Sequence, residues 1–320
     1  MALTFVTGGS GFLGRNLIAA LRARGAGVRA LARSEASQDA VAAAGAEPVR
    51  GDLDDVEAMT RGMKGCEVAY HAAADLAQFG DLGRIAHVNV GGTERAIAAA
   101  RAAGVGRFVH VSTEAVLVGS GSRIIRADET QPRPRHPIGA YPTTKGQAEE
   151  RAIAGGAVIA RPRFIWGAGD TSVLPVLVAA VRSGRFRWIG GGRHLTSTCH
   201  VRNVCAGLVA CAERGRAGEA YFLTDGEPVE LRAFLTELLA TQGVTPKDAS
   251  LPLWAARAAA FGAEAIWRLF RLDGEPPVTR TAVRLIGTEV TVNDAKARRE
   301  LGYAPVVTRA DGLAEMWAPG

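Results

Sequence analysis

Apolar and polar positions follow two rhythms along this chain. Short apolar runs bounded by turn formers are separated by longer, alanine-rich stretches with helical spacing. LTFVT (3–7), VRALA (28–32), EPVRGD (47–52), EVAYHAAA (67–74), RFVHVS (107–112) and AVIARP (157–162) read as strands, and AYFLTD (220–225) as a late one. Residues 12–24 read as the helix after the first strand. Strands that alternate with helices are joined by right-handed crossovers, giving a parallel sheet with helices on both faces. The expected fold is α/β, a Rossmann-type doubly wound parallel sheet.

The rhythm loosens after Arg163. Residues 164–197 carry glycines and arginines around a helix-like stretch, 173–182, and a helix near 201–214 leads to the late strand. Residues 230–320 read as helices with proline-rich joints. The pattern predicts a sheet domain over 1–165, rejoined by 198–226, and a smaller, mostly helical lobe built from 166–197 and 227–320.

Gly8, Gly11 and Gly14 fall directly between the first strand and its helix. Glycines in that context allow a tight turn, close approach of backbone to a pyrophosphate, and close helix–strand packing. The helix N-terminus then offers free N–H groups to the anion. A dinucleotide is the expected ligand, and a glycine-rich turn without function is the alternative. Contacts are expected from Gly8, Gly11, Phe12, Leu13 and Gly14, from Asp52 and Leu53 after the third strand, and from Ala72 and Ala73 after the fourth. An acidic residue ending the second strand would select NAD through the ribose 2′-hydroxyl. Here Ala32 is followed by Arg33 and Ser34. A guanidinium suits a 2′-phosphate, so NADP(H) is favoured over NAD(H); a solvated arginine is the bland reading.

Composition narrows the field. The chain has 320 residues, 48% hydrophobic, enough for a large core. Its net charge of +6 comes from arginines scattered through alanine-rich helices, without a basic block, so no nucleic-acid partner is expected. Cys66, Cys199, Cys205 and Cys211 include no C-x-x-C pair and read as core residues. The histidines lack ligand spacing, and no metal is expected. His71 reads as a packed residue beside the cofactor. The N-terminal apolar run is too short for a signal peptide, and no uncharged apolar stretch is long enough to span a membrane. A reducing cytoplasm is the expected compartment.

Tyr141 and Lys145 stand four apart in AYPTTK, on one face of a helix. An ammonium beside a phenol favours the phenolate and makes a proton-transfer pair. An ordinary surface pair is the alternative, weakened by the glycine turn in the same chain.

TGGSGFLG, GDL (51–53), HAAA (71–74), NVGGT (89–93), VSTEAV (111–116), YPTTK (141–145) and RPRFIWGAGD (161–170) occur in the order of the extended short-chain dehydrogenases/reductases. The chain resembles most closely the 3β-hydroxysteroid dehydrogenase branch and its bacterial relatives, which share GGSGFLG, an RP pair after the sixth strand, and an ending like AKARRELGYAP (295–305). The resemblance covers nearly the whole chain. It implies an NAD(P)-dependent oxidoreductase interconverting a secondary alcohol and a ketone on a hydrophobic substrate, steroid-like or β-hydroxy/keto. Tyr141 would be the acid/base, and Lys145 would lower its pKa and hold the nicotinamide ribose. Thr113, with Ser112 as fallback, would polarise the substrate oxygen together with Tyr141, and Asn89 would order the site. The backbone near Pro162 and Arg163 would meet the nicotinamide. Thr144 replaces the family's more usual Ser. A homodimer is also implied, although no residue pattern here speaks to it.

Two features bear on substrate. Phe164 stands where nucleotide-sugar epimerases and dehydratases usually carry Asn, which favours an apolar substrate; core packing is the other reading. The stretch LWAARAAAFGAEAIWRLF (253–270) puts Arg257, Glu264 and Arg268 on one narrow arc and leaves a broad apolar face. It reads as a core helix of the lobe, a lid over an apolar pocket, or a helix in peripheral contact with a membrane. Arg182, Arg185, Arg187 and Arg193 argue the other way. A basic loop could clamp a nucleotide sugar, which keeps an epimerase or dehydratase as the alternative.

Overall fold

The computed structural model describes residues 2–121 and 124–317. Residue 1 and residues 122–123 of the expected sheet domain, and 318–320 of the lobe, lie outside the described residues. Seven strands form the main sheet: β1 (Leu3–Thr7), β2 (Gly27–Ala32), β3 (Glu47–Arg50), β4 (Val68–His71), β5 (Arg107–Val111), β6 (Val158–Pro162) and β7 (Ala220–Leu223). Their order is β7-β6-β5-β4-β1-β2-β3, and every pairing is parallel. The chain leaves the centre at β1, winds outward to β3, then crosses back to β4. That reversal opens a crevice at the strand C-termini, the usual ligand position in such sheets.

The helices that matter for the site are α1 (Phe12–Ala23), α2 (Glu35–Ala43), α3 (Val56–Met63), α4 (Gly92–Ala102), α5 (Ala140–Ala154), α6 (Val201–Arg214), α7 (Leu253–Phe270) and α8 (Arg280–Gly287). On one face of the sheet, Leu17, Ile18 and Leu21 of α1 share a core with Val204, Cys205, Leu208 and Cys211 of α6. On the other, Met59 and Met63 of α3 and Ala96 and Ala99 of α4 pack around Phe5. Strands covered on both faces need no polar alternation, and every residue of β6 and β7 is buried. All four cysteines are buried and free.

The lobe is not helical alone. Val229–Glu230, Leu195–Thr196, Val290–Val292 and Ile124–Ala127 form a second, mixed sheet in that order. Strands of two to four residues are too short to display alternation in sequence. Ile124–Ala127, expected within the sheet domain, pairs with Val290–Val292 instead. Trp166, Trp188, Leu231 and Phe234 centre the core of the lobe.

Helix α7 is inverted relative to an ordinary core helix. It buries Ala256, Ala260 and Glu264, while Trp254 (74%), Phe261 (65%), Leu269 (77%) and Phe270 (67%) are exposed. The small alanines pack against Val283 of α8. Glu264 accepts hydrogen bonds from the Arg280 backbone N and Nε, both at 2.7 Å, and so ties the start of α8. The polar stripe therefore carries the anchor, and the apolar face points outward.

Candidate active site

The glycine turn is a cradle that side chains would fill. Gly8 has φ +73°, and a Cβ there would lie 2.7 Å from Ala73 N. A Cβ on Gly14 would lie 2.0 Å from Gly8 O. The turn is closed by Gly11 N donating to Gly8 O at 3.1 Å. Helix α1 then starts without a side-chain cap and without an acidic residue in its first turn. Its orphan N–H groups and positive dipole end face the crevice, a fit for a pyrophosphate.

A cleft of about 630 Å³ runs from this turn across the strand tips. The expected contacts Gly8, Gly11, Phe12, Leu13, Gly14, Arg33, Asp52, Leu53, Ala72 and Ala73 all line it, as do Tyr141 and Lys145. Arg33 is exposed and forms no ion pair among the described residues; Ser37, also lining, closes a capping box with Ser34 at the start of α2. Asp52 Oδ1 accepts from Asp54 N and Asp55 N, which shapes this end of the cleft. Sequence reasoning missed Asp54, His87 and Arg95 there. Asp54 pairs with Arg95 at 2.6 Å and His87 at 2.7 Å, an assembly drawn from separate elements.

At the other end, Tyr141 lies half-buried in the first turn of α5. Lys145 is buried one turn on, and its Nζ donates to Val111 O at 2.7 Å. Thr113 is buried and outside the cleft lining. Burial draws the Lys145 ammonium down to about 8, opposed by the charge of Glu149. Burial pushes the Tyr141 phenol up, Glu114 adds to the rise, and Thr113 opposes it.

Both strand-tip hydroxyls are held by glutamates. Ser112 Oγ donates to Glu149 Oε2 at 2.6 Å, and Thr113 Oγ1 donates to Glu114 Oε2 at 2.8 Å. Each glutamate is paired with an arginine of the RPR run. Arg161 grips Glu149 with Nε at 2.9 Å and a second nitrogen at 2.6 Å, and Arg163 reaches Glu114 at 3.0 Å. All four charged side chains are buried. The sequence held a signal for this: Glu149 follows Lys145 by four, Glu114 follows Thr113 directly, and the arginines flank Pro162.

Asn89 lies in a single π-helical turn, His87–Gly91, a feature common near functional sites. Its Nδ2 donates to Thr144 Oγ1 and to Asp75 O, both at 3.0 Å, and its Oδ1 accepts from Asp75 N at 2.7 Å. Asn89 thus fixes the loop after β4 without lining the cleft. His71 is bonded to Thr7 and Thr93, and burial, with Lys145 adding, lowers it to about 3, so it is a neutral packed residue.

Three expected contacts stand elsewhere. Pro162 and Arg163 are buried and do not line the cleft; Ile165, Thr171 and Ser172 do. Phe164 adopts a left-handed backbone, φ +42°, and packs edge-on against Phe234 at 5.8 Å, in line with its packing reading. Arg182, Arg185, Arg187 and Arg193 are exposed and outside the cleft lining, and Arg187 bonds carbonyls of its own loop. The nucleotide-sugar clamp has no support in this arrangement.

Residues 5–253 match the profile of the 3-beta hydroxysteroid dehydrogenase/isomerase family. The chain is 53% identical over 315 residues to a 4-hydroxy-2-methyl-3-oxo-4-farnesyl-3,4-dihydroquinoline-1-oxide ketoreductase of Stigmatella aurantiaca, covering 97% of this chain and 94% of that protein. It is 34% identical over 325 residues to a 2-alkyl-3-oxoalkanoate reductase of Stenotrophomonas maltophilia, covering 98% of each. Among solved structures, DesIV, a dTDP-glucose 4,6-dehydratase from Streptomyces venezuelae with NAD and TYD bound, superposes with a TM-score of 0.76 at 25% identity, covering 98% of this chain and 95% of that one.

Proposed function

Because the chain belongs to the 3-beta hydroxysteroid dehydrogenase/isomerase family and is an NAD(P)-dependent oxidoreductase of the short-chain dehydrogenase/reductase type, we propose that it reduces a ketone carrying a bulky apolar group on the adjacent carbon, or oxidises the matching alcohol. The observation that carries this reading is that Tyr141 and Lys145, the latter seated on the Val111 carbonyl, line one end of a cleft whose other end is the glycine cradle. Both named relatives support the substrate class. One name puts an oxo group beside a farnesyl-bearing position, the other beside an alkyl-bearing one.

In this reading the nicotinamide supplies or accepts hydride at the substrate carbon. Tyr141 gives its phenolic proton to the substrate oxygen in reduction and recovers it in oxidation. Lys145 holds the nicotinamide ribose from its seat on Val111. The glycine turn and α1 bind the pyrophosphate, and Asn89 keeps the loop after β4 in place. Arg33, beside Ser37, receives a 2′-phosphate, which makes NADP(H) the working cofactor.

The outward apolar face of α7 fits contact with an anionic lipid surface, because Arg257, Arg268 and Arg271 are exposed around it. Arg268 lies 5.2 Å over the Phe79 ring, in the loop whose exposed Leu76 lines the cleft. Apolar substrate would then reach the cleft from the lipid.

The test is a panel of α-alkyl and unsubstituted ketones, with their alcohols, followed at the nicotinamide absorbance with both cofactors. Turnover of α-alkyl ketones, abolished by Tyr141→Phe, is expected. Undiminished turnover in Tyr141→Phe would refute the acid–base assignment.

A further inference from the structure

Helix α5 carries Tyr141 in its first turn but supplies no cap of its own. Gly139 precedes it with φ +85° and no side chain, and the first turn holds no acidic residue. The first backbone N–H groups of a helix have no partner within it. That of Ala140, the residue before Tyr141, is met from another segment: it donates to Gln78 O at 3.1 Å. Gln78 belongs to the loop after β4, which starts at Asp75 on Asn89 and whose Leu76 lines the cleft.

Gln78 is itself held by the lobe at two points. Glu275 Oε1 accepts from Gln78 N at 2.5 Å and from Phe79 N at 3.3 Å. Thr279 Oγ1 donates to Gln78 Oε1 at 2.7 Å. The same stretch of the lobe also reaches the turn before α5. Thr281 Oγ1 donates to Ile138 O at 2.9 Å, and a Cβ on Gly139 would lie 2.0 Å from that hydroxyl oxygen. Glycine at this position is what lets the lobe approach the start of α5 so closely.

We propose that Glu275 is a positioning residue for Tyr141: by gathering the Gln78 and Phe79 N–H groups it holds the Gln78 carbonyl on Ala140 N, and so fixes the start of α5 against the cleft. The inference rests on the acid–base role of Tyr141 and deepens it. Glu275 is exposed and does not line the cleft, so it acts through Gln78. It also lies beyond residues 5–253, the stretch matched by the family profile. A surface carboxylate that merely anchors a loop would leave the chemical step alone. One that seats the helix under the acid/base would not, because a misplacement of about 1 Å can cost about 100-fold in rate.

The experiment compares Glu275→Ala with Glu275→Gln, whose amide oxygen can still accept both N–H groups. Glu275 is exposed, and both variants are expected to fold. Amide hydrogen exchange reads the clamp directly. Glu275→Ala is expected to speed exchange at Gln78, Phe79 and Ala140 about tenfold or more, with α4 unchanged, and Glu275→Gln to keep most of the protection. The single-turnover rate of ketone reduction is expected to fall about tenfold in Glu275→Ala and to recover in Glu275→Gln, while dinucleotide affinity moves by less than about twofold in either. Exchange at Ala140 that keeps its wild-type rate while Gln78 and Phe79 speed up breaks the link to α5 and overturns the proposal. So does an unchanged single-turnover rate in Glu275→Ala, or a loss in Glu275→Gln equal to that in Glu275→Ala. Failure of the underlying reading looks different: Tyr141→Phe stays active, although exchange at Ala140 still follows Glu275.

Discussion

Glu149 stands one helical turn beyond Lys145, with both side chains buried, and its carboxylate is the charge that opposes the fall of the lysine pKa. Lys145 holds its proton only up to about 8. A group lowered in this way is cationic below that value and neutral above it. Reductase activity that needs the ammonium therefore falls as pH rises through about 8. Glu149→Gln removes the supporting anion, so the fall moves to lower pH. The check is kcat/KM for ketone reduction measured from pH 6 to pH 10, a window of about two units on either side. A descending limb at the same pH in both proteins would remove Glu149 from this role. The variant also leaves Arg161 buried without its partner, at a cost of about 3–5 kcal/mol in stability, which urea denaturation measures separately.

The cradle predicts a sharp result for Gly14. A methyl placed 2.0 Å from Gly8 O cannot be relieved by a rotamer change, because a Cβ is fixed by its own backbone and Gly8 O is itself a backbone atom. Gly14→Ala must push α1 away from the turn, with overpacking worth about 1–3 kcal/mol. Dinucleotide affinity, read from quenching of tryptophan fluorescence, is expected to fall at least about tenfold, the equivalent of 1.4 kcal/mol. Wild-type affinity in a folded Gly14→Ala protein would mean that the dinucleotide does not sit on this turn.

Arg33 separates the two cofactors. A charge-assisted hydrogen bond contributes about 1.5–3 kcal/mol, so Arg33→Ala is expected to weaken NADPH binding about 10- to 100-fold and to leave NADH nearly untouched. Calorimetric titration with both nucleotides decides it. Equal losses for the two would place Arg33 away from the 2′-position.

Much of this was legible in the chain because local rules and tertiary structure agreed. Strand runs such as LTFVT and AVIARP lack polar alternation since both sheet faces are covered, and Gly14 is required by a close approach to Gly8 within the turn itself. What escaped was set by partners distant in sequence. Glu114 follows Thr113 directly, but its position alone does not show that Arg163, 49 residues beyond that glutamate, clamps it. Nothing near Ile124 announces a strand partner at Val290. Phe164 reads in the sequence as either a pocket wall or a core residue, and only the fold shows it packed in the lobe. The periodicity of 253–270 revealed an amphipathic helix but not its orientation, because Glu264 is drawn inward by Arg280, which lies beyond the helix.

That orientation yields the remaining prediction. An apolar face with Phe261, Leu269 and Phe270 outward contributes nothing to the core of this chain, so changing it should cost little stability. Phe261→Ser/Leu269→Ser is expected to alter unfolding free energy by about 0.5 kcal/mol at most per site. Transfer of each side chain into an apolar phase is worth about 1.5–3 kcal/mol when complete. Partition onto vesicles containing phosphatidylserine is therefore expected to drop about tenfold or more in the variant, while turnover of a water-soluble ketone is unchanged. The exposed arginines add a salt-sensitive attraction of about 1 kcal/mol each near an anionic surface, so wild-type binding should weaken in neutral vesicles. Sedimentation of both proteins without lipid supplies the discriminating control. A wild-type dimer that becomes monomeric in the variant, with no vesicle binding by either, would assign the face to a second copy of the chain and end the lipid reading.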